Sequence, residues 1–180
     1  MISYFGQNNV YTDLTNLKDC QRLRVLDISR NSLISLKGLG QLKSLVVLNV
    51  SKNQLRDLNS EAFGELKSCE SLGCLDLSDN KIERCSIQAN GGSIAVPEFF
   101  AASTPNLRTL SLQGNPIPVE DRKRMKYFLT SLVSFNGSRI TPNPVLPELP
   151  ENTKRRISHM RDIAIARIRQ QDLVQSHSHN

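Results

Sequence analysis

The chain has 180 residues, 38% hydrophobic and 22% charged, with no tryptophan. This is enough for one well-buried domain with an appendage, and no apolar run approaches the roughly 20 residues that span a bilayer. The start, MISYFGQNNV, lacks the basic and apolar stretches of a signal peptide, so a cytosolic setting is expected. The net charge of +6 is spread thinly, 17 Lys and Arg against 13 Asp and Glu in residues 1–141 and 6 against 4 in residues 142–180, so direct nucleic-acid contact is not expected.

In chain order, a weak copy of a recurring pattern covers Met1 to Tyr11, with Tyr4, Gly6 and Asn9 at its key places. Four strong copies follow: LRVLDISRNSL from Leu23, LVVLNVSKNQL from Leu45, LGCLDLSDNKI from Leu72 and LRTLSLQGNPI from Leu107. All four fit L-x-x-L-x-L-x-x-N-x-[LI], the leucine-rich repeat pattern. Asn9, Asn31 and Asn53 are 22 residues apart, and the next steps to Asn80 and Asn115 are 27 and 35. Each L-x-L predicts a short strand whose leucines point inward and which pairs in parallel with the next copy. The expected fold class is α/β: a solenoid of about five repeats with a parallel concave sheet, short convex helices and a C-terminal cap helix. Asn31, Asn53, Asn80 and Asn115 are expected to be structural, satisfying backbone groups that the turn leaves unpaired.

The alternate strand positions predict three outward columns. These are Val25, Val47, Cys74 and Thr109; then Asp27, Asn49, Asp76 and Ser111; then Ser29, Ser51, Ser78 and Gln113. Arg24, Arg108, Arg30 and Lys52 stand at the rims. Such faces hold extended partner surface, and with Arg24 and Arg108 the columns form the candidate partner-binding face. They read as small and polar, without Trp or Tyr anchors. Asp27 and Asp76 are two strands apart, too far to work as a tight catalytic pair.

On the opposite side, Leu14, Leu36, Leu58 and Cys85 lie five residues after their asparagines, and Leu17 and Leu39 lie eight after, a spacing that suits tight helical turns. Cys20 and Cys69 stand where a buried leucine belongs, as small apolar residues. No C-x-x-C or metal spacing is present, so neither a disulfide framework nor a zinc site is expected. The segment NSEAFGELKSCES predicts a convex helix through Ala62, Phe63, Leu66 and Cys69. SIQANGGSIA reads as a surface loop around Gly91 and Gly92, followed by a helix from about Pro97 that packs Phe99 and Phe100.

In LQGNPIP, Leu112 and Asn115 keep the rule while Pro116 and Pro118 end it, because proline removes a backbone donor and stiffens the exit. The run VEDRKRMKYFLTSL then places Met125, Phe128, Leu129 and Leu132 on one helical stripe, with Glu120 and Asp121 suited to the first turn. Its RKRMK reads as the solvated face of a cap helix, the alternative being a basic patch for phosphate or an acidic partner. The cap, about 116–141, closes a repeat domain of 1–141. Residues 142–150 read as a Pro-rich connector anchored by Val145, Leu146 and Leu149. Residues 151–172 read as a basic amphipathic helix with Ile157, Met160, Ala164 and Ile168 on one face, suited to a partner protein or to extension as an arm, with membrane-surface or calmodulin-type binding as alternatives. Residues 173–180 read as a disordered tail.

All three histidines, His159, His177 and His179, fall outside the repeats, so no Ser-His-Asp or Cys-His arrangement fits the solenoid. No nucleotide-binding glycine loop is present. No enzyme activity and no cofactor are expected.

GNPIPVEDRKRMKYFLTSLVSFNGSRIT resembles the C-terminal cap of short-repeat leucine-rich proteins, a family that includes a regulatory subunit of protein phosphatase 1, the A-prime spliceosomal protein and ciliary dynein proteins. It departs from them at Phe135-Asn136, where they carry Leu-Asp. LKSCESLGCLDLSDNKIE, VPEFFAASTPNLRTLSLQGNPI and NPVLPELPENTKRR resemble the ciliary leucine-rich repeat proteins of axonemal dynein assembly. That resemblance implies a protein–protein scaffold for cytoplasmic assembly or targeting of dynein arms, with dynein subunits or assembly chaperones as partners and cilium or flagellum association. A phosphatase-binding regulatory subunit and an adaptor for an RNA-binding protein stay open as alternatives.

Overall fold

A computed structural model describes residues 2–86 and 93–140. Residue 141, the connector at 142–150, the basic helix at 151–172 and the tail at 173–180 lie outside the described residues. So do the side chains of Phe63 and Cys85, and the loop residues around Gly91 and Gly92.

In chain order the elements are β1 (Ser3–Phe5), β2 (Val25–Asp27), β3 (Val47–Asn49), α1 (Ser60–Lys67), β4 (Cys74–Asp76), β5 (Cys85–Ser86), β6 (Ser93–Ile94), α2 (Val96–Ser103), β7 (Thr109–Ser111), α3 (Val119–Phe128), β8 (Ser134–Phe135) and β9 (Ser138–Arg139). Two 3-10 turns, Thr15–Leu17 and Leu39–Gln41, complete the back of the first two repeats. The main sheet has seven strands in the order β1-β2-β3-β4-β7-β8-β9. The first five pair in parallel with no slip: Tyr4, Leu26, Leu48, Leu75 and Leu110 form one inward row. The chain thus folds as a leucine-rich repeat solenoid.

The register is set by burial, since a one-residue slip would turn every inward leucine to solvent. Leu26, Leu48, Leu75 and Leu110 are fully buried, and Ile28, Val50, Leu77 and Leu112 form a second inward row. Gly6 takes that second place in the weak first copy. A side chain there would run into the ring of Tyr4, which fills the space together with Tyr11. The two phenol oxygens are hydrogen-bonded at 2.6 Å.

Each turn leaving one of the five repeat strands uses a left-handed residue just before the asparagine: Asn8, Arg30, Lys52 and Asp79 have φ between 53 and 58°, and Gly114 has φ 75°. A side chain at Gly114 would meet Asp79 Oδ1, so glycine is required there both for its backbone and for room. The asparagine amides then bridge repeats. Asn53 Nδ2 donates to Ile28, Val50 and Ser51 carbonyls at 3.0–3.2 Å, and its Oδ1 accepts from Leu33 N at 2.9 Å. Asn31, Asn80 and Asn115 repeat the arrangement. All four are buried, and each meets donors and acceptors that the bend exposes.

Behind the sheet, Glu65 in α1 accepts from the backbone N–H groups of Gly38 and Gly40, tying the second repeat to the third. Asn59 caps α1 by accepting from Ala62 N. α2 starts at Val96 with Pro97 in its first turn, and Glu98 reaches back to Ala95 N. Phe99 and Phe100 are fully buried, edge to face with centroids 5.4 Å apart. SIQANGGSIA is not wholly a loop: Ser86 pairs antiparallel with Ser93, and Cys85, just before it, pairs with Ile94. No repeat period encodes that ladder.

The C-terminal end is closed by α3 and a β8–β9 hairpin. Met125, Phe128, Leu129 and Leu132 are buried, although α3 ends at Phe128, so the last two continue the stripe beyond the helix. Asn136 and Gly137, φ 50 and 76°, make the two-residue turn of the hairpin. Asn136 Oδ1 accepts from Leu112 N at 2.8 Å, so the amide oxygen serves where the cap resemblance leads one to expect an aspartate. Only an acceptor is needed at that place.

Candidate protein-interaction face

The parallel register brings the predicted columns together. Val25, Val47, Cys74 and Thr109 are consecutive partners, as are Asp27, Asn49, Asp76 and Ser111, and all eight are half-buried. Arg24, Arg108, Arg30, Lys52 and Gln113 are exposed, and Ser78 is half-buried. Ser29 and Ser51 are corrections: each is only 8% exposed and offers little to a partner. Their backbone N–H groups donate to Asp27 Oδ1 and Asn49 Oδ1 at 3.0 Å, folding the turn back over them. Ser78 does the same toward Asp76, adding its hydroxyl at 2.6 Å.

Asn49 Nδ2 donates to Asp27 Oδ2 at 3.1 Å. Burial pushes the Asp27 carboxyl up, but donors from Ser29, Gln7 and Asn49 together outweigh it and hold it below the usual carboxylate range. Among the described residues no Lys or Arg forms an ion pair with Asp27 or Asp76. Burial, and then the Asp76 carboxylate, push the Cys74 thiol up, which disfavours thiolate chemistry on this face.

The columns extend further than the strong repeats indicate. β1 places Ser3 beside Val25 and Phe5 beside Asp27. Phe5 is 64% exposed and Ile2, just before the strand, is 66% exposed. The face is thus not uniformly small and polar; its N-terminal part is apolar and carries an aromatic ring. The signal was present in the weak first copy, where Ser3-Tyr4-Phe5 aligns under Val25-Leu26-Asp27.

The cationic run of the cap is largely engaged within the cap. Arg124 bridges Glu98 at 3.2 Å and Asp121 at 3.7 Å and lies over the Phe128 ring, while Lys123 pairs with Glu120 at 3.0 Å. That arrangement is the solvated face of a helix that also locks α3 to α2. Among the described residues no group of three or more His, Cys, Asp or Glu is placed to hold a metal ion, and no helix is long and apolar enough to cross a membrane.

The family model Leucine Rich repeats (2 copies) matches residues 21–64. The chain is similar to a Dynein axonemal assembly factor 1 homolog of Drosophila melanogaster, 36% identical over 80 residues, covering 44% of this chain and 5% of that protein. It is also similar to the Leucine-rich repeat-containing G-protein coupled receptor 5 of Rattus norvegicus, 36% identical over 74 residues, covering 40% and 8% of the two chains. The chain therefore spans under a tenth of the length of these relatives. An internalin of Listeria monocytogenes superposes with a TM-score of 0.58 at 25% identity, over 78% of this chain and 36% of the other. Solenoids of this kind are protein-interaction scaffolds.

Proposed function

We propose, from the premise that this chain is a leucine-rich repeat protein, that it is a non-enzymatic scaffold holding a protein partner on its concave sheet, in cytoplasmic assembly or targeting of axonemal dynein arms. The observation that carries the interaction role is the continuous outward face of five parallel strands, from Phe5 to Ser111, whose middle column carries the carboxylates of Asp27 and Asp76. The partial similarity to a Dynein axonemal assembly factor 1 homolog supports the pathway. In this reading dynein subunits or assembly chaperones are the partners, and the protein works in the cytoplasm of a cell that builds motile cilia or flagella.

Affinity purification of the tagged full chain from ciliated cells tests both levels. Dynein heavy chain or assembly chaperones should be recovered, and the recovery should fall when Val47→Glu and Cys74→Arg are introduced on the face. Recovery of a phosphatase or of RNA-processing proteins in their place would remove the dynein role. Recovery unaffected by the two substitutions would remove the concave face as the site.

A further inference from the structure

The two ends of the main sheet are finished differently. At the C-terminal end the last strand is β9, only two residues long and carrying exposed Arg139. At the other end β1 has β2 on one side and, among the described residues, no strand on the other. Natural sheets guard such an edge with charge, proline, a bulge or a shortened strand, because its unpaired main-chain groups invite another strand. β1 has none of these guards. It is as long as the inner strand β2 and pairs with it without a bulge. Residues 2–12, ISYFGQNNVYT, contain no Asp, Glu, Lys, Arg or Pro, and Ile2 and Phe5 stand exposed there.

The hydrogen bonds of β1 show which groups the edge offers. The Ile2 carbonyl accepts from Val25 N, and the N–H groups of Gly6 and Asn8 donate to the Asp27 and Ser29 carbonyls, so the even-numbered residues are turned toward β2. Alternation therefore turns the N–H and C=O of Ser3 and Phe5 to the open side. We infer that this edge pairs with the β1 edge of a second copy of the chain, antiparallel, about a two-fold axis at Tyr4. In that register Ser3 lies opposite Phe5 of the second copy, and Phe5 opposite its Ser3. Both are hydrogen-bonded pairs, and together they close four N–H···O=C bonds. The side chains are self-complementary as well. Ser3 and Phe5 occupy the outward face, as their partners Val25 and Asp27 do, so each Phe5 ring meets a small serine across the axis and not another ring. An edge without charge also meets its own copy without adding to the repulsion between two chains of net charge +6. Such a contact is closed and stops at two chains. The axis stands perpendicular to the sheet, which puts both outward faces on one side and makes two five-strand faces into one of ten. With few side chains on each copy the contact is small, so it forms at high concentration and leaves dilute protein single. It does not rest on the dynein reading above.

Sedimentation equilibrium of the full chain over a range of concentrations tests this. The mass should rise from one chain toward two and no further. Ser3→Pro removes an N–H that points away from β2, a place where edge strands tolerate proline. It takes away two of the four bonds and should weaken the pairing about tenfold or more. Phe5→Lys sets a charge on the edge and should leave the chain single throughout; Phe5 is exposed, so the fold is not at risk. Val47→Glu with Cys74→Arg, in the middle of the face, should leave the pairing unchanged. Oxidation of an equimolar mixture of Ser3→Cys and Phe5→Cys chains should yield a linked pair that neither yields alone, since opposed Cα atoms in this register stand about 5.5 Å apart. A chain that stays single at every concentration would overturn the pairing and leave the edge to a strand of another protein. Association that both edge variants leave intact, or linking as strong in either cysteine variant alone as in the mixture, would overturn it too. None of these outcomes touches the purification result, in which loss of partner recovery by the Val47 and Cys74 variants reports on the concave face itself.

Discussion

Asn80 donates to the carbonyls of Val50, Leu77 and Ser78 and accepts from Leu55 N, all within a buried turn. Asn80→Ala strands several buried backbone groups at once, so it should lower stability by about 3 kcal/mol, read as a shift in the urea midpoint. Alanine at exposed Gln54, one place after another asparagine, should stay within about 0.5 kcal/mol. Asp27 carries a pH signature. Its folded pKa lies below that of an unfolded aspartate, about 3.9, so its stabilisation is present above about pH 4 and is lost as pH falls through the lowered value. Asp27→Asn should therefore be less stable than the native chain at pH 7, and the two urea midpoints should converge as pH falls through the lowered value. The asparagines were legible in the sequence because one residue type recurs at one place. The inward folding of Ser29 and Ser51 was not, because it depends on a side-chain acceptor two residues earlier rather than on strand alternation.

At the scale of elements, the C-terminal hairpin shows how a departure from a motif can keep its physics. Asn136 holds a left-handed conformation, which asparagine and aspartate tolerate, and also supplies the acceptor for Leu112 N. Asn136→Asp should change the melting temperature little. Asn136→Leu loses the acceptor and strains the backbone, and should cost about 2–3 kcal/mol by thermal denaturation. The strands were readable in advance because L-x-L fixes both their place and their facing. α1 was readable from helical spacing and α2 from Pro97. β5 and β6 were not, since two-residue strands carry no period, and β1 was readable only faintly because Gly6 breaks the aliphatic row that Tyr4 repairs from the side.

Across the whole molecule, stability in a solenoid is a sum of repeats and the interfaces between neighbours. The middle repeats have a neighbour on each side, and the β7 side is covered by α3 and the hairpin. β1 lies at a sheet edge, with Ile2, Phe5 and Val10 exposed beside it. Hydrogen exchange should therefore open from that end: the amides of Gly6 and Asn8, bonded to Asp27 and Ser29, should exchange at least tenfold faster than those of Val50 and Leu77, bonded to Asp76 and Ser111. Equal protection along the sheet would mean one global unfolding unit. The solenoid and its face were legible because the same physical requirement recurs in every repeat; the apolar end at Phe5 was obscured because it sits in the copy that keeps the rule least well.

The asparagine bridges have one more effect. Each amide joins its own turn to the strand exit of the repeat before it, while the chain between asparagines varies from 22 to 35 residues. The front of the molecule is therefore ruled at a constant pitch whatever length is spent behind it. The 35 residues from Asn80 to Asn115 leave Asp76 in direct register with Ser111, as the 22 from Asn31 to Asn53 leave Asp27 with Asn49. The back of this protein is free to diversify or to accept a grafted reporter while the spacing that a partner measures stays fixed.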